Sequence, residues 1–181
     1  DSGAIYRIVA FKDDDITNLD IEFKIVTAPE LSIRIIVNDN DLTNEIRTEE
    51  IGKIASVISK EKSVRNMVNR KLRTIIGTGL HVIDGRDMGS TVFPNAIFKF
   101  YLDAKLEVRA ERRYRQLIDL GKSVNINDIL NDLNDRDRRD RERELSPLLA
   151  ADDAVVIDTT NLKVSDVVDL MGNYWNNINY E

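Results

Sequence analysis

The sequence predicts an α/β fold, a parallel sheet preceded by an antiparallel hairpin and two amphipathic helices, and three observations predict it. Leu80–Ile83, Ile97–Leu102 and Ala154–Ile157 are short apolar runs with almost no alternation, separated by helical stretches. That is the pattern of strands buried on both faces of a parallel sheet. Ahead of them, the β-rich runs Leu19–Thr27 and Leu31–Val37 flank Ala28-Pro29-Glu30, and Ile21, Phe23 and Ile25 alternate with the period of a half-buried strand, which makes an antiparallel hairpin. The third observation is size: 181 residues, 42% hydrophobic and 32% charged, suffice for one buried core with a small appended lobe.

The charge balance narrows the function. Lys plus Arg number 26 against 32 Asp plus Glu, a net charge of −6, which argues against a surface given over to nucleic acid. An anion site must therefore be local. With no Cys and His81 as the single histidine, disulfides, thiolate nucleophiles, Cys-ligated metals and multi-histidine metal sites are excluded, and a catalytic triad is disfavoured. No apolar run approaches the roughly 18 residues of a spanning helix, and no basic-then-apolar leader opens the chain. The expectation is a soluble, cytoplasmic, monomeric protein of one domain, without repeats or long linkers.

Asp1-Ser2-Gly3 reads as a turn running directly into the helical pattern Ala4, Ile5, Ile8, Val9, so the chain is expected to start in mid-fold. After the hairpin, Asn44–Ser59 should be a helix with Ile51, Ile54, Ala55 and Ile58 inward. Ser63–Ile76 should be another, with Val64, Met67, Val68, Leu72 and Ile75 inward, and Gly77 and Gly79 punctuate its end. The three apolar runs end in Asp84, Asp103 and Asp158, and ligands of open α/β sheets sit beyond the carboxyl ends of strands. Asp103 can equally be the N-cap of the helix running through Leu106, Val108 and Leu117 to Gly121. His81 falls inside the first run, a core or edge position without a role. From Gly172 the Asn-rich tail is expected to fray, with Tyr174 and Trp175 as a packing anchor.

Two constellations can carry chemistry. Between Ile126 and Glu144, Ile126, Ile129, Leu130 and Leu133 form a stripe at helical spacing, and its continuation reaches Asp137 and Asp140, flanked by Arg136 and Arg143. The buried face thus turns from apolar to ionic. One reading is a solvated helix with Arg136/Asp140 and Asp137/Arg141 as i,i+4 pairs. The other rests on the absence of Lys and on the core phase of the charges: guanidinium forks gripping phosphate, and a carboxylate gripping hydroxyls. Arg109, Arg112, Arg113 and Arg115, around Tyr114, add an arginine patch one helix earlier. The second constellation, Asp84-Gly85-Arg86-Asp87-Met88-Gly89, follows a predicted strand; its glycines allow close backbone approach, and Arg86 is placed for an anion.

These motifs occur together in one family. Asp1-Ser2-Gly3-Ala4-Ile5-Tyr6-Arg7, Glu45-Ile46-Arg47-Thr48, the Asp84–Gly89 block with Val92-Phe93-Pro94, and Arg136-Asp137-Arg138-Arg139-Asp140-Arg141 before Pro147-Leu148 stand in family order over essentially the whole chain. The sequence resembles the bacterial cytidylate (CMP/dCMP) kinases. That resemblance implies a P-loop nucleoside-monophosphate kinase fold with a parallel core sheet, an antiparallel lobe closing over the monophosphate (residues 12–76) and a lid (109–125). It implies transfer of the ATP γ-phosphate to CMP or dCMP, giving CDP or dCDP, with Mg²⁺ as cofactor. One departure stands out: the Walker A loop, Gly-x-x-x-x-Gly-Lys-Ser/Thr, appears nowhere in this sequence. In the family it precedes the Asp-Ser-Gly-Ala block, within a strand, loop and helix of about 30 residues. The N-terminal strand and phosphate loop are expected to be missing from this chain.

By the same resemblance, Arg7, Arg86 and Arg143 hold the α-phosphate of CMP, Arg136 and Asp140 reach the ribose, and Ser56, Arg65 and Asp87, with Ser2 nearby, read the cytosine. Asp84 corresponds to the acidic residue that orients metal-bound water, and Arg112 and Arg113 neutralise the ATP phosphates. Arg86, Arg136, Arg112 and Arg113 are the expected catalytic set, since phosphoryl transfer depends on alignment and charge stabilisation more than on a base. Three alternatives stand beside this reading: an inactive fragment that binds CMP, another nucleoside-monophosphate kinase, and an RNA-binding module, for which Tyr114 is the one aromatic platform among the basic residues.

Overall fold

The structure, a computed structural model, describes residues 1–13, 15–28 and 32–178. It divides into two compact units, Asp1–Gly85 and Arg86–Glu181.

The first unit opens with α1 (Ser2–Lys12), whose N-terminus is capped by the Asp1 side chain accepting from the Ala4 amide. Its Ala4, Ile5, Ile8 and Val9 are buried as the periodicity predicts. β1 (Ile21–Val26) and β2 (Ser32–Val37) form the expected antiparallel hairpin, with Ile21 opposite Val37 and Phe23 opposite Ile35. The hairpin tip expected at Ala28-Pro29-Glu30, and Leu31 after it, falls in part outside the described residues. Burial fades along β1, from Ile21 inside to an exposed Ile25, so the strand outruns the core it packs on. A short β3 (Asn40–Asp41) joins the edge of β2.

The helix expected over Asn44–Ser59 is broken. Glu45–Arg47 is a single 3-10 turn, Thr48 is extended, and its hydroxyl caps α2 (Glu49–Ile58) by accepting from the Ile51 amide at 3.3 Å. This restart fixes the phase: Ala55 and Ser56 are buried on α2 while Ile54 faces out, contrary to its expected inward position. α2 packs on α1. α3 (Lys62–Ile76) buries Arg65, Val68 and Leu72 and closes at Gly77, whose φ of +55° suits glycine.

Leu80–Ile83 is not a strand, which corrects the first of the three runs. Leu80 and Val82 are 86% and 97% exposed, and His81 is exposed beside them rather than in a core or edge position. A strand buried on both faces needs hydrogen-bonded neighbours, and among the described residues none pairs with this run.

In the second unit β4 (Phe100–Asp103) and β5 (Val155–Asp158) are parallel, registered Phe100 to Val155 through Asp103 to Asp158. They are not buried on both faces as expected: Leu102 and Val156 are exposed while Ile157 is inside, and Ile97 is exposed ahead of the strand. Asp103 does not cap the next helix. Its carboxylate accepts from the Ala104 amide, and α4 (Leu106–Asp119) starts after Lys105. α4 ends in a Schellman turn, with Lys122 N–H donating to Leu117 O and Gly121 at φ +74°. α5 (Ile126–Glu142), capped by Asn125, packs on α4 through Ala110, Leu117 and Ile129, with Tyr114, Leu130 and Leu133 alongside. The last helix, α6 (Val164–Ile178), takes in Gly172 and the first part of the Asn-rich tail expected to fray; residues 179–181 of that tail lie outside the described residues. The expected aromatic anchor is in place: the Trp175 ring centre lies 5.0 Å from that of Phe98, and Tyr174 meets the edge of Phe100 at 5.9 Å.

Two carboxylates in different units share one acid-sensitive pattern. Asp41 is held below its usual pKa of 3.8 by hydrogen bonds from the Thr43 hydroxyl and amide, and Asp158 by those of Thr160. Each is ionised in both folded and unfolded states above pH 3.8, so its contribution is complete there and is lost as pH falls from 3.8 through the depressed folded value. Urea midpoints measured from pH 6 to pH 2.5 are expected to hold above about pH 4 and fall below it. Asp41→Asn and Asp158→Asn should each reduce that acid-limb slope.

Candidate active site

The first unit brings together four of the expected residues along α1, α2 and α3. Arg7 leaves the buried side of α1 and donates to the carbonyls of Ile46 and Thr48, both at 2.9 Å. Its guanidinium lies against Gly52, where a Cβ would come within 2.7 Å of an Arg7 terminal nitrogen. The Glu45–Arg47 turn therefore has a purpose the helical pattern did not reveal: it aims two carbonyls at Arg7. Arg65 is 3% exposed, donates to the Ser59 carbonyl at 3.1 Å, and has its guanidinium carbon 5.9 Å from the Tyr6 ring centre. Ser56 is buried one turn before Ser59, and its hydroxyl oxygen has no hydrogen-bond partner. An orphaned buried hydroxyl is costly unless a ligand answers it. Ser2 is buried at the head of α1, and its amide donates to the Asp84 carbonyl at 3.0 Å, while the Asp84 carboxylate is 77% exposed.

The second unit gathers five more, and this is the densest ionic group of the described residues. Asp140, on the buried face of α5, has Arg86 at 3.2 Å, Arg143 at 3.6 Å and Arg136 at 4.0 Å. Arg143 also faces Asp87 at 3.9 Å, and both of those side chains are 4% exposed. Arg143 ends α5 and donates to the Ser146 carbonyl, across a turn where Ser146 sits at positive φ. The stripe does turn ionic inside the fold, and the solvated-helix reading fails for Asp137 and Asp140, which are buried. Three guanidinium groups face two carboxylates, with Arg143, Asp87 and Asp140 buried and Arg86 and Arg136 half-exposed at the edge of the group, an arrangement suited to a phosphate dianion.

A polar cleft of about 540 Å³ opens beyond the carboxyl ends of β4 and β5, where the sequence placed ligand contacts. Its lining balances Lys105, Arg109, Arg138 and Arg141 against Asp103, Asp137, Glu142 and Asp158, so it lacks the cationic excess of the Asp140 group. Arg109 pairs tightly with Asp137 at 2.6 Å and also donates to the Ala104 carbonyl, fastening α4 to α5. Arg112 is folded onto the loop after β5, bonded to Thr159 and the Leu162 carbonyl, and Arg113 donates to Gln116 within α4. Neither is drawn into the Asp140 group.

Comparison with known proteins decides the family. The cytidylate kinase family model matches residues 1–177. The chain belongs to the cytidylate kinase family. It is 39% identical to the cytidylate kinase of Aeromonas salmonicida over 93% of this chain and 78% of that protein. The cytidylate kinase of Shewanella halifaxensis is also 39% identical, over 94% and 80%, and that of Methylococcus capsulatus is 40% identical over 93% and 80%. The parallel β4–β5 pair, the antiparallel β1–β3 sheet and the helices between them fit the nucleoside-monophosphate kinase fold. The contacts that sequence reasoning missed in this cytidylate kinase are those of Gly52 with Arg7, Tyr6 with Arg65, and Lys99 with Gly89.

Proposed function

We propose that the chain carries the machinery for transferring the γ-phosphate of ATP to CMP or dCMP, giving the diphosphate, in pyrimidine nucleotide metabolism. The observation that carries this reading is the group of Arg86, Arg136 and Arg143 around the buried carboxylates of Asp87 and Asp140. Arg7, Arg86 and Arg143 would hold the monophosphate by charge-assisted forks. Arg136 and Asp140 would take the ribose. Asp87 would accept from the exocyclic amine of cytosine, which uracil lacks, while Ser56 and Arg65 would bond its acceptor edge. Ser2, at the head of α1, would join that set. The acceptor oxygen of CMP is already an ionised phosphate oxygen, so these residues need supply no base; they align it and offset the charge of the transition state.

Mg²⁺ neutralises phosphate charge when bound with ATP. Among the described residues there is no cluster of three or more acidic or histidine ligands. Asp84, whose carboxylate is exposed, would hold the cation together with substrate phosphates, the usual manner of Mg²⁺. Arg112 and Arg113 would exchange their present oxygen partners for ATP phosphate oxygens, as residues of a lid over 109–125 with the acceptor lobe over 12–76. The RNA reading is disfavoured because its one aromatic platform, Tyr114, is partly buried against the α4–α5 core.

Calorimetric titration with CMP and then UMP tests the reading. Selective CMP binding is expected; a folded chain that binds neither would refute it. Ser56→Ala provides a sharper check, because removing an orphaned hydroxyl should leave the free protein equally or more stable while weakening CMP binding about tenfold. Equal loss of both would make Ser56 a packing residue.

A further inference from the structure

Lys99, the residue before β4, has a 6% exposed side chain. Its ammonium bonds both carboxylate oxygens of Asp153, at 2.8 and 2.6 Å, and donates to the Pro94 carbonyl. Its stem passes under the turn Met88–Val92: a Cβ on Gly89 would lie 3.2 Å from Lys99 Cδ and 3.3 Å from Cγ. That turn begins at Asp87, whose carbonyl accepts from the amides of Thr91 and Val92 at 2.9 and 3.2 Å, and Phe93 donates to Met88 O at 2.7 Å. One side chain therefore floors the middle of the turn and clamps its far end. The clamp is itself fixed to the sheet, since the Val155 amide donates to Lys99 O at 2.8 Å and Asp153 lies just ahead of β5.

The chemistry explains the residue type. An aliphatic stem fills the space under a glycine, and a cation at its end meets a carboxylate and a carbonyl; lysine joins a straight four-carbon stem to such a charge. A salt bridge to so exposed a carboxylate adds little stability by itself, so a side chain this buried under the turn points to placement of the turn.

We infer that Lys99 is a positioning residue: it sets the Met88–Val92 turn so that Asp87, and Arg86 before it, present their side chains to the nucleotide. The inference rests on the proposed reading of Asp87 as the group that recognises the cytosine amine. Its consequence is that loosening Lys99 lowers base selectivity without touching any group that meets the base.

The test combines amide hydrogen exchange with CMP and UMP titrations of Lys99→Met, Lys99→Arg and Asp153→Asn. In Lys99→Met, exchange at Thr91, Val92 and Phe93 should quicken about tenfold or more while Leu130 and Leu133 in α5 keep their rates. The ratio of CMP to UMP affinity should fall about tenfold, and Lys99→Arg should restore most of both. If Lys99→Met does not fold, Asp153→Asn leaves the stem in place and should give the same pattern at smaller amplitude. Unchanged exchange at those three amides, or faster exchange with an unchanged CMP-to-UMP ratio, overturns the inference. If the unaltered chain itself fails to prefer CMP, the reading of Asp87 falls and the selectivity claim with it, while the exchange data still decide whether Lys99 holds the turn.

Discussion

Arg143→Ala is expected to lower the stability of the second unit by about 3 kcal/mol and CMP affinity by about a hundredfold or more. Arg143 stands between the two buried carboxylates, 3.9 Å from Asp87 and 3.6 Å from Asp140. Its removal leaves Asp87 without the guanidinium it faces, and Asp140 keeps only Arg86 at 3.2 Å and the more distant Arg136. The cluster then changes from three cations on two anions to a balanced pair of each, so the phosphate loses both a fork and the net positive field. Denaturant unfolding and CMP titration of the same variant separate these losses. Arg143→Lys sharpens the comparison: it returns the charge but not the fork, so it should recover much of the stability and little of the affinity. A wild-type affinity in Arg143→Ala would reduce the ionic end of α5 to a structural salt-bridge network.

The ionic end of α5 was legible in the sequence because helical phase survives a change of residue type. The 3.6-residue stripe that buries Ile129 also buries Asp137 and Asp140, and a carboxylate in a core phase requires a partner. The hairpin and the aromatic anchor of α6 were legible for the same reason, as patterns that end on large apolar side chains. What failed were inferences that depend on neighbours. Leu80–Ile83 has the composition of a buried strand, but composition does not hydrogen-bond, and without a paired strand the run lies exposed. Likewise nothing periodic announces that Thr48 interrupts a helix, yet that interruption supplies the Ile46 and Thr48 carbonyls that hold Arg7. Lys99 was invisible for a third reason: its effect is exerted through the space under a glycine, and spacing along the chain carries no record of that contact.

Arg65→Ala should cost CMP on the order of a hundredfold in affinity and leave the much weaker UMP binding little changed. The asymmetry follows from protonation. Cytosine offers acceptors at O2 and N3, which a guanidinium can satisfy; uracil carries a proton on N3, and a guanidinium has no acceptor to meet it. Arg65 would thus favour cytosine and gain little from uracil, so its removal should be felt by CMP alone. The variant will also be less stable, because a 3% exposed side chain that bonds the Ser59 carbonyl and lies over Tyr6 is being emptied. That loss does not obscure the result. A diminished folded fraction lowers the apparent affinity for CMP and UMP by the same factor, so the ratio between them reports the base-reading contact alone. A ratio that survives Arg65→Ala would assign discrimination to Asp87 and Ser56 and leave Arg65 as a support for Ser59 and Tyr6.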